Sequence, residues 1–75
     1  MPRLPRITGR EAQRAVERDG WRMLNQSGSH INLKHSTKLG LVTIPLHGNK
    51  TLKPGTLTDI IRGSGMTVDE FRAKL

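Results

Sequence analysis

Gln26-Ser27-Gly28-Ser29-His30, running on into Ile31-Asn32-Leu33-Lys34-His35, is a tight turn that delivers the chain into an alternating strand. Glycine adopts the φ > 0 geometry of a tight turn without steric cost, and the serines on either side suit a turn as well. Side chains alternate across a strand, so Ile31 and Leu33 share one face while His30, Asn32 and Lys34 share the other. His30 is therefore expected to stand exposed among polar groups. An imidazole beside amide and ammonium donors on an open sheet face is suitable equipment for handling phosphate esters.

Working back from the turn, Trp21-Arg22-Met23-Leu24-Asn25-Gln26 reads as the partner strand. A two-residue Ser27-Gly28 turn would pair Leu24 with Ile31, whereas a three-residue turn would pair Met23 with Leu33 and bury Trp21. The second is preferred, because Trp21 is the only tryptophan of a chain with two aromatic residues, and exposing it would forgo much of the available burial. Working forward, Leu41-Val42-Thr43-Ile44-Pro45-Leu46-His47 puts Val42, Ile44 and Leu46 on one face of a third strand. Pro45 has no backbone donor, which points to an edge strand or a non-bonded ladder position. Keeping both apolar sets on one buried face predicts Leu33 opposite Ile44 and Ile31 opposite Leu46, with His30 facing His47, Asn32 near Pro45 and Lys34 near Thr43.

Helices flank this sheet. Thr8 and Glu11 form a capping box, and Ile7 and Ala12 a hydrophobic staple, so a helix spans 9–19 with Ala12, Ala15 and Val16 inward and Gly20 as its C′ residue. Pro54 at a first-turn position introduces a second helix carrying Leu57, Ile60 and Ile61 inward, ended by Gly63 to Gly65. A second capping box, Thr67 with Glu70, and a staple of Met66 on Phe71 open a short terminal helix from about Val68 toward Leu75. Met1 to Arg6, with two prolines and two arginines, suits an extended arm preceding the fold proper. The fold class is α+β, one domain over 1–75: a three-stranded antiparallel sheet with both long helices on one face and the opposite face open.

Composition narrows the partners. A 75-residue domain buries only about 60% of its unfolded surface, which argues against a deep enzyme cleft. The formal net charge of +7 favours an anionic partner, nucleic acid foremost. A membrane surface is the rival, but no run of 18 apolar residues exists and no helix pairs a strong apolar face with a lysine-rich one. With no cysteine there is no disulfide or thiolate metal site, and the three histidines lack metal-ligand spacing. The N-terminus has no apolar signal core, and a cytoplasmic protein fits.

The α-β-β-β-α order, the Gly28-Ser29-His30 turn, the strand Val42-Thr43-Ile44-Pro45-Leu46-His47, and Leu52-Lys53-Pro54-Gly55-Thr56-Leu57 with Ile60-Ile61-Arg62 resemble the HicA family of bacterial toxins over essentially the whole chain. The resemblance implies a double-stranded-RNA-binding-domain-like fold acting as an mRNA endoribonuclease, with His30 as the catalytic histidine. It further implies cleavage without a metal or other cofactor, and a cognate HicB-type antitoxin as protein partner. Relatives are often basic just before the motif, whereas this chain has Asn25-Gln26-Ser27, so phosphate contacts from that segment are not implied.

Blander readings stand beside these. A histidine at a strand start, without the motif, is more often a solvated spectator than a catalyst. His35 alternates with the inward set and reads as a structural cap on the core edge. His47 is either a strand-end residue or an assisting acid or base. Lys50 and Lys53, near the second helix start, are candidate phosphate contacts, as are Ser29, Asn32 and Lys34, although loop lysines are usually just solvated. Arg10, Arg14 and Arg18 read as the wet face of the first helix. The alternative function is a non-catalytic RNA-binding module. A DNA-binding reading lacks both helix-turn-helix spacing and a zinc finger.

Overall fold

Thr8 and Thr67 open two helices in the same way. In the computed structural model, which describes residues 3–75, the Thr8 N–H donates to Glu11 Oε1 (3.0 Å) and the Glu11 N–H to Thr8 Oγ1 (3.3 Å). The pattern repeats at Thr67 and Glu70, at 2.8 and 3.1 Å. Each box satisfies N–H groups that a helix start leaves unpaired. The Thr67 backbone N–H, and after it the Thr67 hydroxyl, hold the Glu70 carboxyl below its ordinary pKa. A depressed folded-state value means this support is present above the unfolded pKa and lost as pH falls through the lowered one.

Helix α1 spans Gly9–Arg18, α2 Pro54–Gly63 and α3 Val68–Ala73; strands β1 (Trp21–Ser27), β2 (His30–His35) and β3 (Leu41–Pro45) form one antiparallel sheet in the order β1-β2-β3. The chain is thus α+β, with helix, three strands, helix and short helix in sequence. The helices cover one sheet face, where Ala12, Ala15, Val16, Trp21, Ile31, Leu33, Val42, Ile44, Leu57, Ile60, Ile61 and Phe71 are buried together. Pro45 lies in an edge strand, the first of the two placements its missing donor allows. Its opposite face is open and polar. Asn32 bridges it, donating from Nδ2 to Asn25 Oδ1 (2.8 Å) and accepting at Oδ1 from Thr43 Oγ1 (2.6 Å).

Both hairpin registers differ in part from the sequence reading. The first turn has two residues, Gly28 and Ser29, with Ser27 opposite His30 and Gly28 at φ 59. A positive φ at the first central position alone marks a type II′ turn. The expected pairing of Met23 with Leu33 and the burial of Trp21 nevertheless hold, because an irregularity between Met23 and Asn25 takes up one residue. Met23 itself is 52% exposed.

In the second hairpin Ile31 pairs with Ile44, Leu33 with Val42, Asn32 with Thr43, Lys34 with Leu41 and His30 with Pro45, two residues away from the expected pairing. A two-residue slip keeps every side chain on its face, so alternation cannot choose between the two registers. His35 makes the choice, by closing the connection early. Its Nδ1 accepts the N–H groups of Thr37 (3.1 Å) and Lys38 (3.2 Å), which turns the chain directly after β2.

The arm before α1 is also part of the fold. Leu4 packs against the core, Thr8 bridges Thr51, the Leu52 N–H donates to the Ile7 carbonyl (2.8 Å), and Arg72 Nη1 donates to the Arg3 carbonyl (2.8 Å). Met1 and Pro2 of the expected arm lie outside the described residues.

With Nδ1 acting as an acceptor, the His35 proton resides on Nε2, which donates to the Asp19 carbonyl at 2.8 Å. The ring also meets Trp21 edge to face at 5.3 Å. His35 thus ties the end of α1, the tryptophan and the β2–β3 connection together. Lys38 adds to the tie through Asp19 Oδ2 (2.6 Å) and the Ser64 carbonyl (3.0 Å). His35→Ala is expected to cost about 2–3 kcal/mol, from the lost hydrogen bonds and the aromatic contact together. Urea unfolding measures it, and a loss under about 0.5 kcal/mol would contradict the structural role.

Candidate active site

Gly28 and Ser29 place His30 at the first position of β2, where it is exposed beside the β3 edge strand. The chain leaving β3 is brought back to the same corner. The Leu46 N–H donates to the Ser29 carbonyl (2.6 Å), while the Lys50 N–H donates to the His47 carbonyl (3.1 Å) and closes a turn containing Gly48 at φ 59. As a result His47, although not directly opposite His30, stands next to it: the ring centroids are 6.0 Å apart and the planes nearly perpendicular, at 89°.

A cleft of about 460 Å³ opens at this corner, lined by His30, Pro45, His47, Lys50, Thr51, Leu52, Lys53 and Thr56. The loop from 47 to 53 is anchored from below by the Thr8–Thr51 bridge and by the Leu52 hydrogen bond to Ile7. Lys53 is the N-cap of α2 but makes no side-chain capping bond, and Pro54 follows it in the first turn. A second cleft of about 420 Å³, sharing His30, Pro45 and Thr56 with the first, is lined also by Thr43 and Asp59. Among the described residues no group of three His, Cys, Asp or Glu side chains converges as a metal site would.

Of the residues singled out from the sequence, the structure gathers His30, His47, Lys50 and Lys53 around one cleft. Ser29 is half-buried in the turn and contributes its carbonyl to Leu46. Asn32 is occupied on both sides by Asn25 and Thr43, so it organises the sheet face beside the cleft. Lys34 is exposed opposite Leu41, four residues along β2 and about 13 Å from His30 at the strand rise. Thr51 and Thr56 also line the cleft and were not singled out from the sequence; their only signal was proximity to the two lysines. Asp59 was missed for a different reason, since it reads as an ordinary wet-face residue of α2.

The family model described as HicA toxin of bacterial toxin-antitoxin matches residues 9–66, well over half of the chain. The chain belongs to the HicA family. No curated protein matches the chain. The HicA match begins at the first residue of α1 and ends beyond α2, so it contains the whole sheet and every residue of the histidine cleft. Membership makes this a toxin of a toxin-antitoxin pair. No helix among the described residues is long and apolar enough to cross a membrane.

Proposed function

We propose that this HicA-family toxin is an mRNA endoribonuclease that works without a metal ion, with His30 as a general acid or base. The observation that carries the proposal is the placement of His30: an exposed imidazole on a polar sheet face, lining a cleft with two lysines. A ribose 2′-OH can attack its own phosphodiester once its proton is removed, and a positioned imidazole contributes roughly 10²- to 10⁴-fold to such a step. Lys50 and Lys53 supply positive charge toward the developing phosphorane. An open cleft suffices because single-stranded RNA is flexible and brings the reacting group to the surface. The order helix, three strands, helix resembles that of double-stranded-RNA-binding domains, which contact 2′-hydroxyls and phosphates.

The net charge of +7 supports RNA as the substrate, and mRNA places the toxin in the cytoplasm. The partner is proposed to be a HicB-type antitoxin that silences the toxin by covering the open face with acidic or apolar groups. Expression in a bacterium tests the reading. The wild type is expected to arrest growth and shorten transcripts, and His30→Ala to do neither. Arrest by the His30→Ala variant equal to wild type would favour an RNA-binding module that acts without cleavage.

A further inference from the structure

Building on the ribonuclease reading, we propose that His47 is the second proton-transfer group of the site, so that His30 and His47 act on one phosphodiester as an acid–base pair. Transesterification of RNA moves two protons. The 2′-O–P bond forms as the 2′-OH gives its proton to one imidazole, and the P–O5′ bond breaks as an imidazolium gives a proton to the departing O5′. The products are a 2′,3′-cyclic phosphate and a 5′-hydroxyl, and proton exchange with water resets both rings. The attacking and leaving oxygens lie on opposite sides of phosphorus, and each needs a proton-transfer group within about 2.6–3.2 Å.

One imidazole does not serve both oxygens at once, whereas two rings whose centroids lie 6.0 Å apart in a shared cleft can. The backbone fixes this spacing. The Leu46 N–H is bonded to the carbonyl of Ser29, the residue before one histidine, and Leu46 is itself the residue before the other. Lysine is a poor substitute in the acid role, because imidazole exchanges protons near neutrality and an ammonium does not. Lys50 and Lys53 therefore act as fixed charge. The charged groups facing the pair are these two lysines in the shared cleft and Asp59 of α2 in the adjoining one.

The test uses the full chain and an RNA oligonucleotide that it cleaves, made both with the natural O5′ and with sulfur in its place at the scissile phosphate. A thiolate leaves without a proton, so the sulfur substrate does not need the acid. His47→Ala and His47→Gln are each expected to slow cleavage of the oxygen substrate by about 10²- to 10⁴-fold, as is His30→Ala. On the sulfur substrate one of the two histidine sites, and only one, should become dispensable to within about tenfold of wild type. His47 is exposed, so its variants are expected to keep the wild-type unfolding curve. Cleavage by His47→Ala within about threefold of wild type overturns the pair while leaving a His30 ribonuclease intact. Rescue of both variants, or of neither, also overturns it. A wild type that cleaves no RNA overturns this proposal together with the reading beneath it.

Discussion

Trp21→Ala is expected to lose about 3–5 kcal/mol of folding stability, the usual cost of truncating a large buried aromatic side chain. Trp21 is 1% exposed and is the largest side chain in the core. It closes the sheet face under α1 and carries the edge-on contact with His35, so its removal opens a cavity and frees the ring that ties Asp19 to the β2–β3 connection. A chain of 75 residues has roughly 4–11 kcal/mol of total stability, so much of it would go. Trp21→Phe separates volume from polarity. The indole Nε1 is buried with no hydrogen-bond partner among the described residues, so phenylalanine loses packing but also removes an unpaired donor. Its cost should be about 1 kcal/mol. Urea unfolding of both variants checks this, and a loss under about 1 kcal/mol for Trp21→Ala would contradict the packing described.

Gly9→Ala is expected to destabilise by about 3 kcal/mol, against the helix propensity that favours alanine by roughly 1 kcal/mol. Gly9 is the first residue of α1 and is buried. A Cβ there would collide with the Pro45 carbonyl oxygen and come within 3.2 Å of Leu46 Cδ2. A backbone oxygen cannot swing aside as the tip of a side chain can, so α1 or the end of β3 must move. That end leads directly to Leu46 and His47, and activity should fall with stability. Gly55→Ala is the control. It lies in α2 with nothing within 4 Å of an added Cβ, and it should be neutral or stabilise by up to about 1 kcal/mol. Denaturant unfolding of the two variants decides, and a Gly9→Ala protein as stable as wild type would show that the helix does not meet β3 this closely.

Features encoded by neighbours along the chain were legible in the sequence. The two capping boxes, Gly20 beyond α1 and Pro54 in the first turn of α2 are local signals, and each lies where its chemistry predicts. The faces of the strands were legible too, because a period of two is visible in Ile31, Leu33, Val42 and Ile44. What alternation does not encode is a slip of two residues, and the β2–β3 register goes with hydrogen bonds that the Thr37 and Lys38 N–H groups, in a loop with little pattern of its own, donate to His35 Nδ1. The irregularity near Leu24 was hidden likewise, since Met23 keeps its expected partner on one side of it. Gly9 reads as an indifferent helix start until β3 is placed against it. The approach of His47 to His30 rests on a long-range backbone bond, from Leu46 to Ser29, that no spacing reveals.

The decisive measurement for His30 is cleavage of a single-stranded RNA by the purified chain in excess chelator, compared with His30→Ala. Wild type is expected to cut the RNA, to leave the all-deoxy strand of the same sequence intact, and to outpace His30→Ala by about 10²- to 10⁴-fold. Equal rates for wild type and His30→Ala, or cleavage that vanishes when metal is chelated, would contradict that expectation.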